Sequence, residues 1–427
     1  MDGQERRIKI VAAHPGRQHS FRVATALKEA GLLYKYATTV YDKDTSFLMR
    51  VVKKLLNKNN LARANKRKCP SLQDEDVIQF CEFGGLLLLL MIRLDKSHII
   101  SNWYGGRISV RFQKRLTRFI IKENVDMVIS YDTNSKVLFQ LLKEKAPKTI
   151  LVMDNAHPNR HYLNYDYHRY WDSCGGFAET LKACGYLVDE KTAQSFGDEI
   201  KMADYHIVAS SYSKEALLFD GVKPERIFKI PYGVDSNRFI NSDRSYAIGK
   251  LNVLFVGEVN QRKGIRQVLE AAKIISSPDV VFNIVGSGSD HCKYLYEPYK
   301  QYVNLWGFVS YDELLRQFRE NHLFLFPTMG EGFGLVLLEA MAAGLPVITT
   351  ANCGGADIVE EGTNGFIVSV GSTEEIVKVL SWAKEHPDKL EEMSKAARET
   401  AHKYTWERYN QGIVDAVNRI YLSAQEG

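Results

Sequence analysis

Short apolar runs alternate with longer segments of helical periodicity along most of the chain. Because consecutive parallel strands need a helical crossover, this alternation predicts parallel sheets covered by helices. In the first half the predicted strands are residues 8–13, 126–131, 149–154, 205–210 and 227–232. A polar stretch follows, and the pattern restarts at 251–257, 280–286, 303–308, 322–327 and 345–350. The chain is expected to hold two doubly wound sheets that join near 235–250.

The ligand site is expected between these two halves. A chain of 427 residues is too long for one hydrophobic core, so two domains are expected. In doubly wound sheets, ligands bind beyond the carboxyl ends of the strands. Two such sheets in one chain place the natural site in the cleft between them.

Composition changes this picture little. With 45% hydrophobic and 25% charged residues, the chain reads as an ordinary globular protein. Its six cysteines form no CxxC pair and no Cys/His ligand spacing, which favours a reducing compartment and argues against structural zinc. The charged start and the short apolar run at 86–92 predict neither a signal peptide nor a membrane span, so a cytoplasmic location is expected.

Positive charge is concentrated in one region of the first half. Residues 43–122 hold 17 Lys and Arg against 6 Asp and Glu, although the whole chain has a net charge of only +5. Segments 46–58 and 106–122 are cationic and amphipathic, which suits an anionic membrane face. The alternative is that both segments cover the sheet with a solvated charged rim. Nucleic acid is not an expected partner, because its aromatic and motif signals are missing.

The segment 330–350 carries the main chemical signal. It predicts a strand end, a glycine-rich turn and a helix start, where free amides and the helix dipole attract an anion such as a diphosphate. Gly332 and Gly334 allow close approach of the backbone. Glu331 in the turn and Glu339 in the helix are placed to meet sugar hydroxyls on either side of the phosphates. The alternative is that Glu331 is solvated and Glu339 pairs structurally.

Other strand ends in the second half support an anionic ligand. Arg262 and Lys263 follow the first strand, and two adjacent cations can neutralise a diphosphate, although alone they would be an ordinary surface pair. Gly286 follows the next strand without the third glycine of a dinucleotide fingerprint, so close approach to a nucleotide and a plain turn both stay open. The backbone near Phe308 is a candidate for reading a base edge.

These motifs occur in an order that resembles a known family. The strings are "RKG", "IVGSGS", "WGFVSYDELL", "PTMGEGFGLVLLEAMAAGLPVITT" and "GTNGFIV". Together they resemble the donor-binding domain of family 4 retaining glycosyltransferases, and the similarity is dense from about 200 to 405. It implies the GT-B fold, in which two Rossmann-like domains face each other across a cleft and a C-terminal helix crosses back to the first.

The resemblance also implies a division of labour. Residues 1–240, with basic amphipathic helices at about 43–122, would form the acceptor-binding domain. Residues 241–405 would bind the nucleotide sugar, and 406–427 would form the returning helix.

Site residues follow from the matched motifs. Glu331 would contact the donor sugar near the reacting carbon, and Glu339 would hold the ribose. Arg262 and Lys263 would hold the diphosphate. The backbone that approaches the sugar and phosphates would come from Gly332, Phe333, Gly334 and Leu335. The chain departs from the family at Glu258, where an arginine is common, so the phosphate contacts would rest on Arg262.

The first half carries fewer matched residues. Gly16 stands in a first loop where the family usually has two glycines. Arg17, next to it, either approaches the phosphates across the cleft or is an exposed loop residue. His157 resembles a histidine that contacts the donor sugar. Candidates for binding acceptor hydroxyls are Tyr131, Asp132 and Asp154.

The expected reaction is the transfer of a hexose from a UDP- or GDP-linked sugar to a hydroxyl of a glycan or lipid-linked acceptor, with retained configuration. No metal and no other cofactor is implied. The groups expected to act in catalysis are Glu331, His157, Lys263 and Arg262. By analogy, a surface polysaccharide or glycolipid pathway at the cytoplasmic face of a membrane is expected. The alternatives are another GT-B enzyme, such as a sugar-nucleotide epimerase or a phosphorylase, and a non-catalytic nucleotide-binding module.

Overall fold

Two parallel sheets organise the chain, as the alternation of strands and helices predicts. The computed structural model describes residues 8–16, 19–55, 61, 64–95, 99–183, 185, 187–239, 246, 250–288 and 290–426. The first sheet has seven strands in the order β3-β2-β1-β4-β5-β6-β7. Its strands are β1 Ile10–Ala13, β2 Leu33–Thr38, β3 Val77–Gln79, β4 Met127–Tyr131, β5 Ile150–Asn155, β6 Tyr205–Val208 and β7 Ile227–Lys229.

The second sheet has six strands in the order β10-β9-β8-β11-β12-β13. Its strands are β8 Leu251–Val256, β9 Val280–Val285, β10 Val303–Gly307, β11 Leu323–Phe326, β12 Val347–Thr349 and β13 Gly365–Ile367. Every described strand pair in both sheets is parallel. In each sheet the strand order reverses beside the first strand, which is the position where doubly wound folds bind ligands.

Helices cover both faces of the sheets. Those of the first half are α1 Ser20–Glu29, α2 Phe47–Leu55, α3 Glu82–Leu94, α4 Ile99–Glu123, α5 Lys136–Lys145, α6 Arg160–Arg169, α7 Trp171–Cys174, α8 Ala178–Ala183, α9 Glu190–Ile200 and α10 Ser211–Phe219. Those of the second half are α11 Ile265–Ile275, α12 Tyr311–Glu320, α13 Leu335–Ala342, α14 Gly355–Ile358, α15 Thr373–Glu385, α16 Pro387–Lys403 and α17 Trp406–Glu426. Among these described helices, none is both long enough and apolar enough to cross a bilayer.

The cationic helix α4 covers the first sheet. Its apolar side chains Ile108, Phe112, Leu116 and Ile120 are buried in the core of that domain. The apolar face of segment 106–122 is therefore occupied by the sheet, which is the alternative that the sequence left open for this segment. The end of segment 46–58 lies outside the described residues.

The last helix returns to the first domain, as the resemblance implies. The amide of Asn410 on α17 donates a hydrogen bond of 2.9 Å to Glu29 at the end of α1. The guanidinium of Arg22 lies 4.0 Å from the centre of the Trp406 ring. The division of domains at 240 stays a prediction, since residues 240–245 lie outside the described ranges.

Candidate active site

Two cations stand directly after β8, in a turn that a glycine makes possible. The side chain of Asn260 accepts a hydrogen bond of 3.2 Å from the backbone N–H of Lys263 and so caps a short 3-10 helix, Gln261–Lys263. Gly264 follows with φ +73°, and a Cβ there would lie 2.0 Å from the carbonyl oxygen of Pro327. Only glycine fits this position. The turn therefore holds Arg262 and Lys263 beneath the loop after β11.

Glu331 in that loop pairs with both cations. Its Oε2 accepts a hydrogen bond of 2.7 Å from Nη1 of Arg262 and a second, short one from Nζ of Lys263. The residue is only 8% exposed. Burial opposes ionisation, but the charges of Lys263 and Arg262 outweigh it and lower the pKa of Glu331 to about 2. The carboxylate is therefore ionised at every physiological pH.

Lys263 is held in an apolar setting as well as an ionic one. Its ammonium lies 4.8 Å from the centre of the Phe326 ring. Burial lowers the pKa of Lys263, and the carboxylate of Glu331 opposes this shift. An anionic ligand would add negative charge next to two desolvated cations that share one carboxylate, which is a favourable site for a diphosphate.

His157 reaches the same carboxylate from the first domain. It lies just after β5, and its Nδ1 is 3.8 Å from Oε1 of Glu331, while its side chain is 53% exposed. Desolvation within the cleft lowers the pKa of His157, Glu331 raises it, and the nearby cations lower it further. The structure therefore brings together all four residues for which the sequence predicts a catalytic role.

The glycine loop also fastens the two domains to each other. The carbonyl of Gly332 accepts hydrogen bonds from the hydroxyls of Ser210, at 2.5 Å, and Ser213, at 3.1 Å, at the start of α10. A Cβ on Gly332 would lie 2.1 Å from the carbonyl oxygen of Ala156. Gly332 thus permits close contact with the first domain, a role that the sequence motif does not reveal.

The rest of the loop turns inward and starts α13. Phe333 is buried, its ring lies edge-on to Tyr232 at 5.8 Å, and its carbonyl accepts a hydrogen bond of 2.8 Å from the backbone of Gly354. Gly334 has φ +83° and caps the helix that Leu335 begins. The Phe333 side chain is therefore part of the core, which leaves the backbone of the loop as the part that can meet a ligand.

Glu339 faces a separate part of the cleft. With Leu335 it lines a cavity of about 550 Å³, which Arg238 and Tyr311 also line. Burial raises the pKa of Glu339, and the charge of Arg238 opposes the rise. The two glutamates of the motif thus lie in different surroundings, one in an ion-pair cluster and one beside a roomy cavity.

Two further donor-site predictions lie at strand ends of the second sheet. The backbone N–H of Gly286 donates a hydrogen bond of 2.9 Å to the carbonyl of Gly307. A Cβ on Gly286, where φ is +134°, would lie 1.8 Å from the carbonyl oxygen of Gly257. Close packing of the protein backbone is therefore enough to explain this glycine. Phe308, by contrast, exposes 88% of its surface after β10.

The first-domain candidates are spread over three strand ends. The backbone N–H of Gly16 donates a hydrogen bond of 2.8 Å to Nδ1 of His14, and Arg17 lies outside the described residues. Tyr131 and Asp154 are buried, so an acceptor hydroxyl would reach them only if the surroundings opened. Burial raises the pKa of Asp154 to about 7, and burial with nearby carboxylates raises that of Asp132 to about 7. Their role as acceptor residues stays a prediction.

Some cleft residues were missed by sequence reasoning. Ser210 and Ser213 hold the glycine loop, and Arg238 and Tyr311 line the cavity at Glu339. The sequence signal for Ser210 is its place between a strand and a helix, where serine caps the helix. Arg238 lies in the polar join between the halves, where no local pattern marks it.

Comparison with known proteins supplies relatives for this site. Residues 241–400 match the family model "Glycosyl transferases group 1". An uncharacterized 41.2 kDa protein in the cps region of Klebsiella pneumoniae is 32% identical over 31% of this chain and 36% of its own length. A putative colanic acid biosynthesis glycosyltransferase from Salmonella typhimurium is 25% identical over 47% of this chain and 53% of its own length. The chain thus spans about a third to a half of the length of these relatives.

Solved structures reproduce the whole fold. An Anabaena protein, HepE, in complex with UDP-glucose superposes with a TM-score of 0.61, covering 96% of this chain and 100% of that one, at 15% identity. At this identity the likeness shows the fold alone. Together the two comparisons confirm the resemblance drawn from the motifs: the chain has the GT-B fold, and its residues 241–400 are similar to the group 1 glycosyltransferases.

Proposed function

We propose that this protein transfers a hexose from a nucleotide diphosphate sugar to a hydroxyl acceptor, with retained configuration and without a metal ion. The observation that carries the proposal is the buried cluster in which Arg262 and Lys263 share one carboxylate oxygen of Glu331 while His157 approaches the other oxygen. This cluster lies where the two domains meet. It offers positive charge for a diphosphate and negative charge for a sugar in one place.

Leaving-group stabilisation follows from this charge arrangement. When the sugar–phosphate bond breaks, negative charge grows on the diphosphate and positive charge grows on the sugar ring. Arg262 and Lys263 would stabilise the negative charge on the diphosphate, together with the first backbone N–H groups of α13. Glu331, which is ionised because its pKa is about 2, would face the positive charge on the sugar ring. Donor binding would replace part of the Glu331 ion pair with phosphate.

Retention would come from attack on the face that the leaving group occupies, with donor phosphate accepting the proton of the acceptor hydroxyl. His157, whose pKa is lowered, would be neutral at pH 7 and able to share a hydrogen bond with a sugar hydroxyl. Glu339, which lines a cavity of about 550 Å³, would accept hydrogen bonds from the ribose.

For the acceptor, we propose a glycan or lipid-linked sugar of a surface polysaccharide or glycolipid, handled at the cytoplasmic face of a membrane. A similar protein is named for colanic acid biosynthesis, and a structural neighbour was solved with UDP-glucose. The basic region from 43 to 122 supports an anionic membrane partner. No nucleic acid partner is proposed.

The proposal is tested by screening UDP-, GDP- and ADP-sugars for release of the nucleoside diphosphate, with and without EDTA. One donor should be turned over by the wild type in either condition, and the transferred sugar should keep its anomeric configuration by NMR. Turnover should fall about 100-fold or more in Lys263→Ala and Arg262→Ala, since each removes a charge that stabilises the leaving group. Full turnover in both variants, an inverted product or interconversion of sugar nucleotides without an acceptor would overturn it.

A further inference from the structure

Helix α3 is apolar on nearly all sides and yet hardly buried. Among its residues Glu82–Leu94, Gly85 is the buried one. A helix that is apolar all round normally lies in a protein core or in a membrane. Here the contact with the domain is made by glycines: a Cβ on Gly85 would lie 2.6 Å from Val40, and one on Gly84 would lie 2.5 Å from Ile108. The leucines from 86 to 89 are half-buried, and Leu90 and Leu94 are exposed.

A groove runs between one face of α3 and helix α2. Its volume is about 600 Å³, within the range of roughly 300–1,000 Å³ that is usual for small-molecule sites. Leu48 and Val52 of α2 form one wall, and Leu86 and Leu90 of α3 form the other. Among the described residues, the charged side chains that line it are those of Arg67 and Arg93.

This groove is joined to the loop that enters the cleft. Val40 lines the groove, and its neighbour Thr39 donates a hydrogen bond of 2.5 Å to the carbonyl of Pro15. Pro15 precedes Gly16 in the loop after β1. Helices α2 and α3 follow the carboxyl ends of β2 and β3, so both begin at the edge of the sheet where the cleft lies.

The chemistry of the groove selects its occupant. Its apolar walls favour a hydrocarbon chain, and guanidinium groups at its border favour phosphate oxygens. The surroundings agree, because Arg50 and Lys54 are exposed on α2 and the region from 43 to 122 holds 17 cations against 6 anions. Phe83 and Leu90 also expose 70% and 51% of their surfaces at the groove. A water-soluble glycan would gain nothing from these features.

We propose that the groove between α2 and α3 binds the hydrocarbon chain of a phosphate-bearing lipid, which carries the hydroxyl that receives the sugar. The inference rests on the proposed function for the identity of that lipid as the acceptor. It places the chain in the groove, the phosphate beside Arg67 and Arg93, and the head group toward the loop that contains Gly16.

Calorimetric titration with monomeric decyl phosphate tests the groove directly. The wild type should bind this probe and should not bind inorganic phosphate at the same concentration. Leu90→Asp should weaken binding roughly tenfold or more, because it places a charge where the chain would be buried. Val52→Trp, which fills the groove, should weaken it comparably. The matched control is Leu422→Asp on α17, at a residue with 59% exposure far along the chain, and it should bind as the wild type does.

Several outcomes would overturn the inference: no binding of decyl phosphate by the wild type, equal binding by Leu90→Asp, or equal loss in Leu422→Asp. The wild type could also form a dimer that dissociates in Leu90→Asp and fail to bind decyl phosphate. That result would show instead that a second copy of the chain covers the groove. UDP and GDP binding in the same samples separates this test from that of the donor site. Binding of decyl phosphate without any nucleotide binding would count against the proposed function, while the lipid-binding role of the groove would stay supported.

Discussion

Glu331 combines burial with a full negative charge in the cleft. It is buried, and it is ionised because two cations share one of its oxygens. Removing one partner of such a cluster leaves the others buried without compensation, which is usually more costly than the pair is favourable. Substitutions here therefore affect charge balance and ligand binding in separable ways.

Glu331→Gln should separate nucleotide binding from sugar transfer. The neutral amide would leave Arg262 and Lys263 less compensated, so UDP or GDP should bind at least as tightly as to the wild type. Sugar transfer should fall about 100-fold or more, since the charge facing the sugar is lost. Calorimetry and a transfer assay would measure the two effects. Lys263→Met is the matched control and should weaken both. Parallel losses of binding and transfer in Glu331→Gln would contradict this assignment of charge.

Asp154 should make the stability of the protein depend on pH. Burial raises its pKa from 3.8 to about 7, so the folded state holds a proton that the unfolded state releases. The contribution of Asp154 to the free energy of unfolding should therefore fall as pH rises from 3.8 toward about 7. Between pH 5 and 7 the fall should be roughly 2 kcal/mol. The raised pKa of Asp132, also about 7, adds a dependence of the same sign, so Asp154→Asn should reduce the slope by about half in urea unfolding at the two pH values. An unchanged slope in this variant would mean that other groups cause it.

At the scale of elements, the loop between β11 and α13 forms a close contact with the first domain. The carbonyl of Gly332 accepts hydrogen bonds from two serine hydroxyls at the start of α10, and a Cβ on this residue would meet the carbonyl oxygen of Ala156. The loop that carries Glu331 is thereby held at the position where His157 arrives.

Gly332→Ala should disturb this contact between the loop and the first domain. The added methyl group would meet backbone at 2.1 Å, so the loop or the domain must move. We expect a loss of about 1–3 kcal/mol in the free energy of unfolding and a clear loss of transfer activity. Gly106→Ala is the control: within the described part of the chain nothing lies within 4 Å of its Cβ position, and in helix α4 alanine should be neutral or stabilising. Equal stability and equal transfer activity of the two variants would rule out a role for this contact.

Local pattern predicts the elements well and their contacts poorly. All ten predicted strands are present, with ends that differ by a few residues. Three described strands were missed: β2, Leu33–Thr38, because charge interrupts its apolar pattern, and β3, Val77–Gln79, and β13, Gly365–Ile367, because each has only three residues. The motifs identified Glu331 and its two cations as site residues. They did not reveal that these groups pair with each other or that Gly332 contacts the first domain, because such contacts depend on how the domains meet.

At the scale of the whole molecule, the two domains are tied together at several points around the cleft. Asp357 of the second domain accepts hydrogen bonds from the backbone and hydroxyl of Ser211, at 2.8 and 2.6 Å. The hydroxyl of Thr180 accepts a hydrogen bond of 2.8 Å from the backbone of Gln261. Helix α17 adds a third connection, since it continues the second half and packs on α1.

Trp406→Ala should weaken this third connection. The indole stacks under the guanidinium of Arg22 and lies edge-on to Tyr409. Its loss should lower the free energy of unfolding by about 2 kcal/mol and separate the thermal unfolding of the two domains in calorimetry. Leu422→Ala, at an exposed position of the same helix, should stay within about 0.5 kcal/mol of the wild type. A single unshifted transition in Trp406→Ala would contradict this role of α17.

The central claim is that Arg262, Lys263 and Glu331 grip a nucleotide diphosphate sugar where the two domains meet. The measurement that tests it most directly is a crystal structure with the donor found by the screen. We expect diphosphate oxygens within hydrogen-bond distance of Arg262 and Lys263, and Glu331 turned to a hydroxyl of the sugar. A donor bound elsewhere, with Glu331 still paired to both cations, would contradict it.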